Sequence, residues 1–214
     1  EGDIRKLPGG IGAALVSELS LDATASPDAV SLQHPSELGA LQVATDIGDA
    51  NADGLFERLY AFGARSVSIW SSDARLLWDS GDILEQATLA ELPAVFNSEF
   101  SSATYDTRSD NRGPEPEGVA VGIIDGVRYA FVGLERTSAI VVFNLEKPTD
   151  PKLVTVYHGS RYPGDLVGMH GPAPSKDQAP EGILFIPADE SASGKPLVIA
   201  CFEVSGTTRV LEVR

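Results

Sequence analysis

Hydrophobic and polar positions in the carboxyl-terminal half of the chain follow a pattern that occurs twice. The segment PEGVAV at 116–121 is echoed by PEGILF at 180–185. Each copy continues through a turn into an apolar run, YAFVGL at 129–134 or LVIACF at 197–202, which ends at a glutamate. Short runs of β-branched and aromatic residues between turn residues are typical of strands. The pattern therefore predicts two copies of an antiparallel β unit.

The two copies align without a gap after the glutamate. A turn of small residues leads to a third predicted strand, AIVVFNL at 139–145 in the first copy and TTRVLEV at 207–213 in the second. In the first copy the turn PTDP at 148–151 then precedes a fourth, outer strand at 152–157. Four antiparallel strands in sequence order form a meander, which is the repeating unit of β-propellers.

A third, more diverged unit is predicted at about residues 40–97. Its hairpin consists of apolar runs at 65–70 and 75–78, joined by the turn SSD at 71–73. Repeated antiparallel units of this size favour a β-propeller, in which each unit is one blade. A β-sandwich is the alternative, because sandwiches also have short strands separated by turn signals.

The predicted fold is all-β, a partial β-propeller of two to three blades with loop insertions and one short helix. Residues 1–214 are interpreted as the C-terminal part of a single propeller, with repeat units at about 114–157 and 178–214. An insertion at about 4–40 is expected to carry the short helix, within 11–19. Because a propeller needs about four blades to close, we expect the missing blades as partners, upstream in the same protein or on another chain.

Composition and charge restrict the function classes. The chain has 21 Gly and 14 Pro, a turn-rich composition, and a net charge of −15 from 31 acidic and 16 basic residues. Such a surface repels phosphate groups, so nucleic acid and anionic membranes are not predicted partners. No run approaches the ~18 apolar residues of a membrane span, so no membrane-spanning segment is predicted. The one cysteine, Cys201, lies in an apolar run and is predicted to be a buried structural thiol.

One segment has the spacing of a calcium-binding loop. Asp49, Asn51 and Asp53 place oxygen ligands at alternate positions, and a glycine follows where a calcium loop turns sharply. Leu55 would contribute its carbonyl oxygen and Glu57 its side chain. The bidentate glutamate of an EF-hand is missing at the twelfth position. The segment therefore predicts a Ca²⁺ site, with a solvated acidic turn as the alternative.

Repeated glutamates form a second candidate site, because equivalent positions of successive blades would converge on a central channel. These residues are Glu1, Glu117, Glu135, Glu181 and Glu203. Crowded carboxylates need a cation, an arginine or protonation to offset their repulsion. The alternative is a set of turn glutamates that are hydrogen-bonded between blades.

Arginines provide possible counter-charges for these carboxylates. Arg108 lies in the mixed-charge loop at 106–115, and Arg136 directly follows one of the repeated glutamates. Guanidinium groups suit phosphate or carboxylate. A charge-balanced loop without a ligand is the alternative. No metal-binding histidine spacing and no phosphate-binding loop motif occurs in the sequence.

Several motifs resemble those of the choice-of-anchor I family, a family of alkaline-phosphatase-like proteins whose animal relatives are called mesenchyme-specific cell surface glycoproteins. The resemblance is carried by EGDIR at 1–5, YAFGARS at 60–66, DSGD at 79–82, RSDNRGPEPEG at 108–118 and EVSGTT at 203–208. The resemblance implies a secreted or surface-anchored β-propeller that is longer than this chain. It also implies that some members are calcium-dependent phosphatases.

Two functional hypotheses follow. In the first, the chain belongs to a secreted calcium-dependent phosphoesterase: Glu1, Glu135, Glu203 and the 49–57 loop bind Ca²⁺, and Glu117, Glu181, Arg108 and Arg136 act on a phosphoester substrate. In the second, it is a non-catalytic extracellular surface or matrix module stabilised by calcium. A catalytic metal keeps an open position for substrate, whereas a structural calcium is enclosed by protein oxygens.

Overall fold

The computed structural model describes residues 12–63, 65–110, 112–158 and 177–213. Two compact units are present, and each is described by itself. The first unit comprises residues 1–64 with 109–112, and the second comprises 65–108 with 113–214. Residues 4–11 of the predicted insertion, and Glu1 among the predicted ligands, lie outside the described residues.

The first unit contains a small antiparallel sheet and one short helix. Strand β1 (Ala13–Leu15) pairs with β2 (Gln42–Ala44), and helix α1 spans Ala29–Leu32. A three-residue 3₁₀ helix, Val16–Glu18, follows β1. The buried apolar side chains of the described part of this unit are few: Val16, Val43 and Ala44. The described residues of this unit therefore form little hydrophobic core of their own.

The predicted helix at 11–19 is wrong for the residues that the structure describes. Leu15 pairs with Gln42 in the β1–β2 ladder, and the N–H of Val16 donates to the carbonyl of Leu41 at 3.0 Å. A short apolar run fits a strand or a helix equally well by pattern alone. Pairing with β2 decides between them here, and the short α-helix of this unit lies at α1 instead.

The second unit begins with a hairpin and a helix. Strand β3 (Ser68–Trp70) pairs with β4 (Leu76–Asp79) in antiparallel orientation, as the sequence predicted, and no further strand joins this sheet in the described ranges. Helix α2 spans Ile83–Glu91 and buries Leu84 and Ala87. Two 3₁₀ helices follow, at Pro93–Val95 and Ser102–Thr104. The sequence interpretation did not include α2.

Both predicted repeat copies form antiparallel meanders. The first has four strands in the order β5-β6-β7-β8, and the second has three in the order β9-β10-β11. Their bounds are β5 Pro116–Ile124, β6 Val127–Leu134, β7 Ala139–Asn144, β8 Lys152–His158, β9 Pro180–Ile186, β10 Leu197–Phe202 and β11 Thr207–Glu212. The all-β class is confirmed, since the sheets are antiparallel and helices are few and short.

The central strands β6 and β7 of the β5–β8 sheet are largely buried on both faces, whereas Val119 and Val121 of β5 are 56% and 54% exposed. One face packs Val132, Val141 and Phe143 against α2 and Trp78 of β4. The other face packs Phe131 and Ile140 against the β9–β11 sheet. Side chains alternate between faces along each strand, so the continuous apolar runs of β6 and β7 reflect a sheet that is covered on both sides.

The prediction that Cys201 is buried is wrong, because the structure exposes its side chain. Along β10, Val198, Ala200 and Phe202 face the β5–β8 sheet and are buried. Cys201 points to the opposite face of β10. An apolar run shows that a strand can be covered on both faces, but it does not show which faces are covered in this chain.

Helices of the described ranges are short. None of them is long and apolar enough to cross a lipid bilayer.

Candidate functional sites

The loop that follows β2 brings three acidic side chains of the first unit together. Carboxylate oxygens of Asp49, Asp53 and Glu57 lie within 4.8 Å of one another. Backbone N–H groups close the turn: that of Gly54 donates to Asp49 Oδ2 at 2.8 Å, and that of Leu55 donates to Asp53 Oδ1 at 2.8 Å. These bonds fix the Asp49 and Asp53 carboxylates within the turn.

Asn51 and Glu57 take part in the same hydrogen-bond network. The N–H of Asp53 donates to Asn51 Oδ1 at 2.9 Å, and the N–H of Ala50 donates to Glu57 Oε2 at 2.7 Å. The potential ligands in this loop are therefore all oxygen atoms: those of the four side chains, and the Leu55 carbonyl oxygen that the spacing predicts. Hard cations such as Ca²⁺ take six to eight oxygen ligands, so the residues present fit Ca²⁺ in their chemistry.

A second acidic cluster lies at the start of β5, in the second unit. Oxygens of Glu115, Glu117 and Glu135 lie within 4.8 Å of one another. Glu115 is 4% exposed and Glu135 is 5% exposed, whereas Glu117 is exposed. Two buried carboxyl groups at this distance repel each other when both are ionised. The neighbouring groups therefore determine which of the two buried carboxyl groups is ionised.

The backbone turn that carries Glu115 occurs in both repeats. Glu115 has φ +49° and its carbonyl accepts the N–H of Glu135 at 2.9 Å. At the equivalent place in the second repeat, Ala179 has φ +63° and its carbonyl accepts the N–H of Glu203 at 2.8 Å. Both copies of the repeat thus have this turn, but the second copy has Ala179 in place of the buried carboxylate of Glu115.

Two arginines bind the Glu115 carboxylate, one at each of its two oxygens. Arg108 Nη2 donates to Oε1, and Arg136 Nε donates to Oε2 at 2.8 Å. Arg136 also lies 3.1 Å from Glu135 Oε1, and its guanidinium carbon lies 5.1 Å from the centroid of the Phe100 ring. Glu115 is therefore charge-compensated by protein groups alone.

Arg108 is itself held by Asn97, which follows α2, and by Arg65, which precedes β3. Its backbone N–H donates to the Asn97 carbonyl at 2.9 Å, and its carbonyl accepts Arg65 Nη2 at 3.3 Å. Glu85, in the first turn of α2, accepts both Arg65 Nη1 at 3.0 Å and Asn97 Nδ2 at 2.7 Å. The position of Arg108 therefore depends on α2.

The two buried carboxyl groups differ in pKa. Burial raises the pKa of Glu135 to about 8, and the hydrogen bond with Glu115 and the charges of Glu115 and Glu117 act in the same direction. Burial also disfavours the charged form of Glu115, but hydrogen bonds with Glu135 and Arg136 and the charge of Arg108 outweigh it, so its pKa is lowered. Glu135 therefore carries a proton near pH 7 and donates it to the Glu115 carboxylate.

The pKa of Arg136 is also set by a balance between burial and neighbouring charges. Burial disfavours the charged guanidinium of Arg136, but its hydrogen bond with Glu115 and the charges of Glu115, Glu135 and Glu99 raise its pKa. Near neutral pH the buried part of the cluster thus contains two positive arginines, the negative Glu115 and the neutral Glu135. A cation that binds Glu115 must compete with both arginines.

The other predicted glutamates lie outside these two clusters. Among the described residues, neither Glu181 nor Glu203 belongs to a group of three or more metal-binding side chains. The backbone of Glu181 nevertheless approaches Gly118 closely: a Cβ atom at Gly118 would lie 2.1 Å from the Glu181 carbonyl oxygen. Strands β5 and β9 therefore converge at the position of the repeated PEG motif.

Sequence reasoning missed Glu115 as a member of the acidic cluster. It directly precedes the PEG motif, and the second repeat has Ala179 at this position. The difference between the two copies was the signal that could have identified it, because a charged residue at a position where the repeat otherwise has alanine needs partners nearby.

Comparisons with known proteins place the chain in a family. The sequence profile of the choice-of-anchor I domain matches residues 1–148. Gigasin-3a of Magallana gigas is 32% identical over 195 residues, which cover 86% of this chain and 67% of that protein. The mesenchyme-specific cell surface glycoprotein of Strongylocentrotus purpuratus is 35% identical over 104 residues, which cover 42% of this chain and 13% of that protein. No solved structure matches. With most of its length matched by the family profile, this chain belongs to the choice-of-anchor I family.

Proposed function

We propose that this chain is part of an extracellular surface module of the β-propeller type, in which calcium bound at Asp49, Asn51, Asp53 and Glu57 stabilises the first unit. The observation that carries the proposal is the convergence of three carboxylates within 4.8 Å in one loop. Such a cluster is repulsive without a counter-ion. The described part of the first unit buries few apolar side chains, so a bound cation would supply much of its stability.

The propeller arrangement is supported by how the two repeat sheets pack. The β5–β8 and β9–β11 sheets lie face to face, with the Phe131 and Phe185 rings stacked at 5.8 Å. Their inner strands converge at Gly118 and Glu181. Blades of a propeller pack in this way, face on face, with the inner strands at the centre. Closing the ring needs about four blades, which further polypeptide must supply, from the same protein or another chain.

The extracellular location is supported by a relative. The Strongylocentrotus purpuratus protein that matches 42% of this chain is named a cell surface glycoprotein. The strongly acidic composition, with a net charge of −15, is compatible with binding hard cations.

Thermal unfolding tests the calcium part of the proposal. We expect the melting temperature to rise by several degrees in millimolar CaCl₂ relative to EGTA, because a ligand at 100 times its Kd stabilises a protein by about 2.7 kcal/mol. Asp53→Asn should abolish this difference. Asp46→Asn is the matched control, since Asp46 is an exposed acid of the same segment outside the cluster. Equal melting temperatures of the unmutated protein in CaCl₂ and EGTA would disprove calcium binding.

A calcium-dependent phosphoesterase is the second candidate, and the proximity of Glu115, Glu117 and Glu135 is the observation that favours it. The contacts of Arg108 and Arg136 favour the non-catalytic module, because both guanidinium groups are directed at Glu115 rather than at an open position. Hydrolysis of p-nitrophenyl phosphate and bis(p-nitrophenyl) phosphate, in CaCl₂ and in EGTA, separates the two candidates. Calcium-dependent turnover that Glu117→Gln removes and Glu146→Gln retains would favour the enzyme.

A further inference from the structure

The chain contains two Asp-Gly dipeptides in different backbone settings. Asp53–Gly54 lies in the candidate calcium loop, and Asp125–Gly126 forms the turn between β5 and β6. All four residues are exposed to solvent. Glycine has no side chain beside its backbone nitrogen, so this nitrogen can approach the carboxyl group of the preceding aspartate. Both dipeptides are therefore candidates for the same covalent rearrangement.

The rearrangement needs no reactant other than water. The glycine nitrogen attacks the carboxyl carbon of the aspartate side chain, and a C–N bond forms. One carboxyl oxygen leaves as water, with the carboxyl hydrogen and the amide hydrogen, and a cyclic succinimide remains. Water then opens the ring at one of its two carbonyls. Opening at the side-chain carbonyl restores aspartate, whereas opening at the main-chain carbonyl gives isoaspartate, in which the main chain passes through the former side chain.

The hairpin turn opposes this reaction at Asp125. Asp125 has φ +50° and Gly126 has φ +81°, and positive φ at both central residues is typical of a two-residue hairpin turn. Ile124 and Val127 pair directly on either side of the turn. Ring closure rotates the backbone between the aspartate and the glycine, which would break this pairing. The hairpin must therefore open before Asp125 can react.

The setting of Asp53 favours the reaction. Residues 49–55 belong to no strand or helix, and a Cβ atom at Gly54 would have no other atom within 4 Å, so there is room for a ring. The N–H of Gly54 donates to Asp49 Oδ2 at 2.8 Å, which places a carboxylate where it can accept the amide proton. The N–H of Leu55 donates to Asp53 Oδ1 at 2.8 Å and polarises the carboxyl group under attack.

We propose that Asp53 is a site of spontaneous conversion to isoaspartate, and that calcium bound in the same loop suppresses this conversion. Isoaspartate adds a carbon atom to the main chain and moves the carboxylate of residue 53 relative to Asp49 and Glu57. The converted loop therefore loses the spacing of its calcium ligands. The protection by calcium rests on the proposed function, because an ion coordinated by Asp53 holds the carboxyl oxygen that must leave as water.

Ageing of the full-length polypeptide that contains these residues tests the proposal. The protein is incubated at neutral pH in EGTA, and electron-transfer fragmentation of its peptides distinguishes isoaspartate from aspartate, which have equal masses. Asp125 is the matched internal control. We expect about tenfold more conversion at Asp53 than at Asp125 in the native protein, and similar conversion in urea, because unfolding removes the β5–β6 ladder. Asp53→Glu should remove the signal at this position and leave conversion at Asp125 unchanged.

Equal conversion at Asp53 and Asp125 in the native protein would overturn the proposed site. A second incubation, in CaCl₂ at about 10 times its Kd, should slow conversion at Asp53 about tenfold, since only the calcium-free loop reacts. Equal rates in CaCl₂ and EGTA, in a protein whose melting temperature rises with calcium, would overturn the protection. Conversion in EGTA does not depend on calcium binding, so failure of the calcium site in the melting experiment is distinguishable from failure of the modification site.

Discussion

Gly118 of β5 and Glu181 of β9 are in such close contact that the first residue has no room for a side chain. A Cβ atom at Gly118 would lie 2.1 Å from the Glu181 carbonyl oxygen. The obstacle is backbone rather than a flexible side chain, so it cannot be relieved by a change of rotamer. The two repeat sheets therefore depend on a glycine at this position for their close approach.

Replacing this glycine should loosen the contact between the two repeat sheets. We expect Gly118→Ala to lower the free energy of unfolding by about 1–3 kcal/mol, the usual cost of overpacking. Gly182→Ala is the matched control at the equivalent position of the second repeat, where the nearest atom to the new Cβ would be the Cys201 Cβ at an ordinary 3.5 Å. Urea unfolding measures both variants, and an equal loss in the two would contradict this explanation.

The protonated state of Glu135 makes stability depend on pH. Because folding raises its pKa from 4.5 to about 8, the folded protein retains a proton that the unfolded chain releases. The stabilisation is complete below pH 4.5, decreases as pH rises and is lost through pH 8. The lowered pKa of Glu115 acts in the opposite direction, but at pH values below 4.5.

Glu135→Gln should therefore remove most of the decrease in stability between pH 5 and 8. The glutamine amide can still donate a hydrogen bond to Glu115 at every pH. Glu203→Gln is the control, because Glu203 occupies the equivalent position in the second repeat and is exposed. Urea unfolding at several pH values measures the effect. A variant whose stability decreases as steeply as that of the unmutated protein would show that another group is responsible.

The charge of the buried Glu115 carboxylate is compensated by Arg108 and Arg136. Arg136→Met should lower the free energy of unfolding by about 3 kcal/mol, because it leaves a buried charge with one of its two partners. The double variant with Glu115→Gln should recover much of this loss, since it removes the charge that lacks compensation. Arg75→Met is the control, an exposed arginine paired with exposed Asp73. Additive effects of the two substitutions would mean that the pair is not coupled.

Removal of calcium should affect the two units unequally. The described part of the first unit contains the candidate calcium loop and few buried apolar residues, whereas the second unit has two hydrophobic clusters. We expect EGTA to make bonds within residues 12–63 susceptible to limited proteolysis while residues 113–158 stay protected. Mass spectrometry of the fragments locates the cuts. Identical cleavage patterns in CaCl₂ and EGTA would argue against a role of calcium in the first unit.

The strands of the two repeats could be predicted from the sequence because their apolar runs, turns and PEG motifs recur at matching positions. The β3–β4 hairpin was found for the same reason, since its turn separates two apolar runs. The predicted helix at 11–19 was wrong because pairing of Leu15 with Gln42, a contact between distant residues, overrides local preference.

The candidate sites could be predicted only in part. The calcium loop is a local spacing, so Asp49, Asp53 and Glu57 could be chosen from the sequence alone, and their binding of Ca²⁺ stays a prediction. The cluster around Glu115 depends on Arg108, Arg136 and Glu135 meeting in space, which no spacing encodes. Burial of Glu115 and exposure of Cys201 follow from which sheet faces are covered, a property of the assembled sheets.

The close contact at Gly118 has a consequence for how this family can diversify. Strand β5 leaves no space for a side chain at Gly118, where it meets β9, so a larger residue there would separate the two sheets. The hairpins at the far ends of the same strands are under no such limit: the two-residue turn between β5 and β6 is replaced by a ten-residue connection between β9 and β10. Substitutions and insertions in this chain should therefore be tolerated better at those hairpins than at the strand starts where β5 meets β9.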